Sequence, residues 1–477
     1  MLEFLYYGAL AASLLWALQD WRRGIYLCLV FDTIRDPIRK LTDGKPVAIT
    51  LAASALWMAV LFGASHRLGT RLLLVTRQLP PLRNAFIYLM AAIIPAAAVS
   101  VVNFEGGWKV ATIGLLSYSV PVLGVVVGYH FLRRPNDLVP LLGFYCIVNS
   151  IFLSGAVFEF LKWKIPGLGG IDFVWIRYRG GGLGAVELIC GFYRSPDLMG
   201  LHAANVAMFA TMLTVRRESR FKWFWLTLVL WGSFCLMLSG RRKMIGMLLV
   251  FGIVYIGLRL RAVGIKRVLP FAVVLLSALL TIHLLTSEVV EAEEYSDYAQ
   301  TTVTEGNARF RDNVLGGVIG SVQQAGILGY GLGTATQGRY HAAKVIMGES
   351  GRIKAWQEDG VSRVFAEMGV FGACLVLMGV FQGIKACRRA LNMVHPLHRV
   401  ADLQMGLAGV IAASGASFVI SHQAFSGDPC SMLFVAFLLG VMLSGPIQVA
   451  REEFASRQYE PTFEQEHRRR YGRERPR

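Results

Sequence analysis

The chain has 477 residues, of which 55% are hydrophobic and only 17% charged, with a mean hydropathy of +0.50. Soluble domains average about 25% charged residues, so this composition excludes an ordinary soluble globular enzyme. The formal net charge of +17 raises nucleic acid as a partner, a question that only the placement of the cations decides.

The apolar residues fall in stretches of about 17 to 25 separated by short basic segments, the length a membrane-crossing helix needs. The expected fold class is therefore all-α, a polytopic integral membrane protein with about 12 to 13 transmembrane helices and one long extracytoplasmic loop. In chain order the predicted spans are 2–18, 24–41, 47–65, 84–102, 110–132, 138–158, 196–215, 223–238, 244–258, 268–285, 364–384, 400–420 and 429–449. Met1-Leu-Glu-Phe-Leu5 lacks the basic start of a signal peptide, so the first run reads as a retained helix. The second span carries Asp32, Arg35, Asp36, Pro37, Arg39 and Lys40 in its far half, which reads as a short crossing followed by an interfacial amphipathic helix.

These spans divide the chain into N-terminal transmembrane helices (1–158), an extracytoplasmic loop (159–195) and a second set of transmembrane helices (196–285). A large extracytoplasmic loop (286–363), C-terminal transmembrane helices (364–449) and a basic tail (450–477) complete the chain. Placing the tail in the cytoplasm puts the loops around Arg22, 67–83, Arg133 and Arg134, 216–222, 259–267 and 385–399 on the same side. Those segments hold more than half of the 48 Lys and Arg, as the positive-inside rule expects. Membrane topology and anionic lipid thus account for most of the charge, and no nucleic acid is called for. The large loop is too short and too poor in apolar runs for a core of its own, so it is expected to pack across the outer helix ends.

Seven cysteines, at 28, 146, 190, 235, 374, 387 and 430, make no C-x-x-C pair, and nine scattered histidines make no ligand spacing. No disulfide framework, metal site or cofactor is expected. The exceptions to the charge rule carry more information. Ser239-Gly-Arg241-Arg242-Lys243 lies in a short turn that parity assigns to the outside. Gly240 permits a sharp turn, and the two guanidiniums at the mouth of a bundle can clasp a phosphate through paired hydrogen bonds. In the large loop, Asn307-Ala-Arg309-Phe-Arg311 is followed by Gly329-Tyr-Gly331-Leu-Gly333 and then Gly338-Arg339-Tyr-His341. Alternating glycines let backbone N–H groups approach an anion or a sugar, or simply let the loop pack tightly on helix ends.

Before the seventh span, Tyr193-Arg194-Ser195-Pro196-Asp197 offers a helix cap in Ser195 or Asp197 and sets Arg194 at the outer face. His202 and Asn205, one turn apart, share a face, where an interhelical hydrogen bond is the expected role. Trp163, Trp175, Tyr178 and Tyr193 read either as a sugar-stacking wall or as an aromatic belt.

The ordered set from about Phe192 to Gly372 resembles the O-antigen ligase and O-antigen polymerase superfamily of bacterial surface polysaccharide assembly. The resemblance lies in the Arg-Ser-Pro-Asp helix start, the Ser-Gly-Arg-Arg turn, and the long loop with Asn-Ala-Arg followed by Gly-Tyr-Gly-Leu-Gly. The helix Val364-Phe-Ala-Glu367-Met-Gly369-Val-Phe-Gly372 completes it. It implies a GT-C-type glycosyltransferase in the bacterial inner membrane, with its active site facing the periplasm or exterior. Such an enzyme takes a glycan from undecaprenyl pyrophosphate and joins it to a glycan acceptor without nucleotide, metal or other cofactor. The implied partners are that lipid-linked donor, the acceptor, membrane lipids, and the flippase and chain-length regulator of the same pathway.

The family's arginine after the Ser-x turn maps onto Arg241 or Arg242, and its arginine early in the loop onto Arg309. Where ligases commonly carry a histidine before the post-loop helix, this chain reads Trp356-Gln-Glu358-Asp359, which leaves His341, Glu358 or Asp359 to act on the acceptor. That departure favours a repeat-unit polymerase over a ligase, with a lipid-linked-glycan transporter as the alternative of a different class. The expected catalytic set is Arg241, Arg309, His341, Glu358 and Asp359. Arg194, Arg242, Lys243, Arg311, Gly331, Gly333, Arg339 and Arg363 are expected to bind substrate.

Overall fold

The computed structural model describes residues 2–171, 174–178, 185–216, 218–219, 221–265, 268–269, 310–336 and 358–454. The helices are α1 (Leu2–Gln19), α2 (Trp21–Leu41), α3 (Val47–Leu68), α4 (Pro80–Asn103), α5 (Gly107–Tyr129) and α6 (Leu138–Phe160). They continue with α7 (Pro196–Val215), α8 (Lys222–Leu238), α9 (Arg242–Val263), α10 (Gly316–Ala325), α11 (Gly360–Asn392), α12 (Arg399–Ile420) and α13 (Pro429–Leu443). Twelve predicted spans each coincide with one of these helices; 268–285 lies outside the described residues, as do most of the large loop and the tail beyond 454. Among the described residues, eight helices are long and apolar enough to cross a membrane, and Pro429–Leu443 with the bent Gly445–Phe454 makes a ninth. The chain is a multi-pass membrane protein. A small antiparallel hairpin, β1 (Ile176–Tyr178) with β2 (Ala185–Glu187), is an addition that the all-α expectation did not contain.

Local chemistry sets the helix starts. Asp20 accepts the N–H groups of Arg22 and Arg23 at 3.2 and 3.4 Å and so separates α1 from α2. Ser195 caps α7 through the N–H of Leu198, with Pro196 at the first position, and Asp428 with Pro429 repeats that device on α13. Asp359 caps α11 by accepting the Ser362 N–H at 2.7 Å.

Helix α7 is buried nearly throughout and forms the axis of the bundle. Small residues allow its neighbours to approach: a Cβ on Gly232 of α8 would lie 2.9 Å from the Ala203 carbonyl. The same holds for α5 against α13, where a Cβ on Gly128 would meet the Phe437 carbonyl at 2.0 Å. Where lipid tails are as apolar as the side chains, such close backbone contact supplies the packing attraction that the hydrophobic effect does not.

Contacts between connections sort them into two ends. At one, Arg22 donates to the carbonyls of His130 and Phe131, Gln448 and Arg451 donate to Leu132, and Arg259 pairs with Asp402 at 3.4 Å. At the other, Lys40 donates to the carbonyls of Gly191 and Tyr193, Lys45 to that of Ile171, and Lys243 to Ser421 Oγ. The Ser239–Lys243 turn therefore shares an end with 159–195 and 421–428, as the parity argument expects. That end is termed outer, after the charge asymmetry of the loops.

One expectation for α2 is corrected. It is one continuous helix through Pro37, and Asp32, Arg35 and Asp36 are buried in the bundle rather than lying at an interface. Their ion-pair partners, described next, make that burial possible.

Candidate functional site at the outer helix ends

Two polar groupings occupy the outer end. The first is built on α2, the loop before α7, the α8–α9 turn and the linker before α13. Arg194 pairs with Asp36 at 3.3 Å, donates its backbone N–H to the same carboxylate at 3.0 Å, and pairs with Asp428 at 2.9 Å. Arg35, almost fully buried, pairs with Asp428 and with Asp32 at 2.6 Å. Two guanidiniums and three carboxylates thus interlock, which is how buried charge persists in a membrane bundle. Burial alone would raise the Asp428 carboxyl, but Arg35 and Arg194 outweigh it and hold the group down at about 2.

Asp32, Asp428 and Cys430 bring potential metal-donor atoms within 4.8 Å of one another. The Arg35 guanidinium already bridges the two carboxylates and supplies the charge a cation would bring.

Beside this frame, Asp197 receives Lys243 Nζ at 2.7 Å and Arg241 Nη2 at 3.3 Å. Arg241 also lies over the Trp175 ring, 5.3 Å from its centroid, and Lys243 donates to Ser421 Oγ at 2.8 Å. Ser421 leads into His422, whose backbone N–H donates to the Glu358 carbonyl at 3.0 Å. This short relay joins the Ser-Gly-Arg-Arg turn to the start of α11, where Asp359 is buried, its Oδ2 without a hydrogen-bond partner among the described residues. Burial raises the Asp359 carboxyl, opposed by its bonds from Ser362. Arg194, Arg241, Lys243, Glu358 and Asp359 therefore share one region, and Arg242 opens α9 beside them.

The second grouping surrounds the glycine-rich segment. Gly369 takes φ +64° and breaks α11 near its start. The freed carbonyls of Ala366 and Glu367 accept the N–H groups of Tyr330 and Gly331 at 2.8 and 3.1 Å, and Phe371 N–H donates to Ile327. Residues 327–336 thus form a strap that completes a broken helix. The Glu367 carboxylate locks it, accepting from Tyr118 Oη at 2.7 Å and from the Ala335 N–H at 3.0 Å. Arg363 is buried here, 5.1 Å over the Tyr118 ring and 3.9 Å from Glu367.

Gly331 and Gly333 are packed against protein: a Cβ would lie 2.4 Å from Ser100 Oγ at the first and 2.2 Å from the Val110 carbonyl at the second. The close approach they permit is to α4 and α5, so the tight-packing reading describes their surroundings. Arg311 is exposed on a single π-helical turn, Phe310–Leu315. Arg309, Arg339 and His341 lie outside the described residues.

His202 and Asn205 both bond Tyr145 Oη, at 2.8 and 3.2 Å, the expected interhelical role. The aromatic set disperses: Trp163 is exposed and stacked on Phe158, while Tyr193 is buried and stacked on His202. Sequence reasoning missed Asp36, Asp428 and His422. The signal for Asp428 was present, since Asp428-Pro429 repeats the cap-and-proline pattern of Ser195-Pro196.

Comparison with known proteins does not place the chain: no protein-family model matches it, and no curated protein matches it. Function must come from the residues of the site.

Proposed function

We propose that this protein is a GT-C-type glycosyltransferase that polymerises oligosaccharide repeat units carried on undecaprenyl pyrophosphate, at the outer face of a bacterial inner membrane. The observation that supports this reading is the relay by which Lys243 bonds Ser421 and His422 bonds the Glu358 carbonyl, bringing the Arg241–Lys243 turn and the start of α11, with Asp359, to one end of a membrane bundle. A lipid-linked diphosphate is already an activated leaving group, so the reaction needs stabilisation of developing charge and a group to relieve the acceptor of its proton.

In this mechanism the acceptor hydroxyl oxygen attacks the anomeric carbon of the donor glycan. The bond from that carbon to the pyrophosphate oxygen breaks, and its electron pair leaves with undecaprenyl pyrophosphate. Arg241 and Lys243 neutralise the departing anion, while Arg194 is held in the neighbouring frame. The hydroxyl proton passes to a carboxylate, for which Asp359 Oδ2 is the candidate: burial favours its protonated form, which raises its basicity. Direct displacement inverts the anomeric centre.

The test is reconstitution of the purified protein in lipid with an undecaprenyl-pyrophosphate repeat unit, with products separated by length. A ladder supports polymerase; a single transfer to a lipid A-core or other acceptor supports the ligase alternative. One observation favours a transport reading instead. Asp32 lies eleven residues into α2, near the middle of that helix, with His202 Nε2 3.9 Å away. Movement of the lipid-linked unit across the bilayer without transfer would establish that reading.

A further inference from the structure

Asp197 is the second residue of α7, is 6% exposed, and is the carboxylate shared by Arg241 and Lys243. We propose that Asp197 is an internal competitor: in the empty site it occupies the cations that a substrate diphosphate takes over, and it thereby sets the affinity of the site for that anion. This rests on the diphosphate reading above and adds a residue expected from local spacing only to cap a helix.

Four observations carry it. First, charge is distributed unequally between the two adjoining sets. Among the described residues, Arg35 and Arg194 pair with three carboxylates, whereas Arg241 and Lys243 share one. An anion arriving at this end therefore finds unmet positive charge on the second set. Second, both cations have a holding contact that does not depend on Asp197: Arg241 rests on Trp175 and Lys243 bonds Ser421. They stay in place when the carboxylate is exchanged for phosphate oxygens.

Third, Arg241 is not fully engaged, because its buried Nε has no hydrogen-bond partner among the described residues. A diphosphate, with more acceptor oxygens than one carboxylate, can occupy that donor too. Fourth, Asp197 does not become a stranded charge when displaced. It lies in the first turn of α7, where the helix dipole stabilises a carboxylate. The arrangement keeps two cations oriented in the absence of substrate, at the cost of competition when substrate arrives.

The experiment is calorimetric titration of the detergent-purified full chain with inorganic pyrophosphate, comparing wild type, Asp197→Asn and Asp197→Glu. Removing the competing charge should tighten binding in the Asn variant by about tenfold or more, the scale of one charge-assisted hydrogen bond. The Glu variant, which keeps the charge, should stay within about threefold of wild type. Equal or weaker binding by Asp197→Asn overturns the competitor role while leaving the diphosphate reading intact. No binding by either wild type or Asp197→Asn overturns that reading and the competitor role with it. Should Asp197→Asn unfold on solubilisation, pyrophosphate added beforehand rescues it under the proposal, and failure of rescue counts against it.

Discussion

Asp428→Asn removes one negative charge while nearly conserving side-chain shape and keeping an acceptor for the α13 cap. That carboxylate is shared by Arg35, whose side chain is 1% exposed, and Arg194, at 15%. Breaking a buried ion pair by removing one partner costs about 3–5 kcal/mol, because the remaining charge is left without compensation. Arg35 keeps Asp32 at 2.6 Å and Arg194 keeps Asp36 at 3.3 Å, so the lower end, about 3 kcal/mol, is expected. Equilibrium unfolding in detergent, run as a double-mutant cycle with Arg194→Met, measures it. In a chain already lacking the Asp428 charge, losing Arg194 strands less negative charge. The second substitution should then cost less than it does alone, by about 1 to 2 kcal/mol. Costs that add to within about 0.5 kcal/mol refute the shared-carboxylate account.

Acid should weaken the same frame. The folded chain holds Asp428 at about 2, against about 3.9 for a free aspartate, so its stabilisation is complete above about pH 4 and fades as pH falls toward 2. In the Asn variant that part of the acid dependence should be missing, which unfolding curves across the acid range check. Gly333→Ala, with φ +89° and a Cβ 2.2 Å from the Val110 carbonyl, should cost at least about 2 kcal/mol and dislodge the strap. Gly383→Ala, which meets nothing within 4 Å, should be silent, and limited proteolysis distinguishes the two. Cysteines placed at the exposed positions Asp43 and Lys164 should react with an impermeant reagent from one side of the membrane, and those at Arg133 and Arg388 from the other. Labelling of all four from one side contradicts the two-ended arrangement.

The helices were legible because a bilayer imposes both length and polarity on them, and the charge bias of the loops grouped their ends correctly. Ser195 capping α7 and the Tyr145 bonds of His202 and Asn205 likewise followed from local spacing. The core of the site was not legible. Asp32, Arg35 and Asp36 interrupt an apolar helix, and a sequence shows only the interruption. The partners that neutralise them, Arg194 and Asp428, arrive from distant segments, and burial is possible only once all five meet. The glycines at 331 and 333 posed a similar ambiguity, since an alternating pattern permits close approach without saying to what. Here the neighbours are Ser100 and Val110. Asp197 was legible as a cap candidate and instead faces Arg241 and Lys243, because Ser195 already fills the cap.

Under the proposed function, Arg241 and Lys243 serve a lipid diphosphate that departs when glycan is transferred. The most direct measurement counts undecaprenyl pyrophosphate released against glycosidic bonds formed, in proteoliposomes of wild type and of Arg241→Ala. One lipid diphosphate per bond is expected from the wild type, and neither product from Arg241→Ala although the variant remains folded in the membrane. Undiminished release and bond formation by Arg241→Ala, or bonds formed without release, would contradict it.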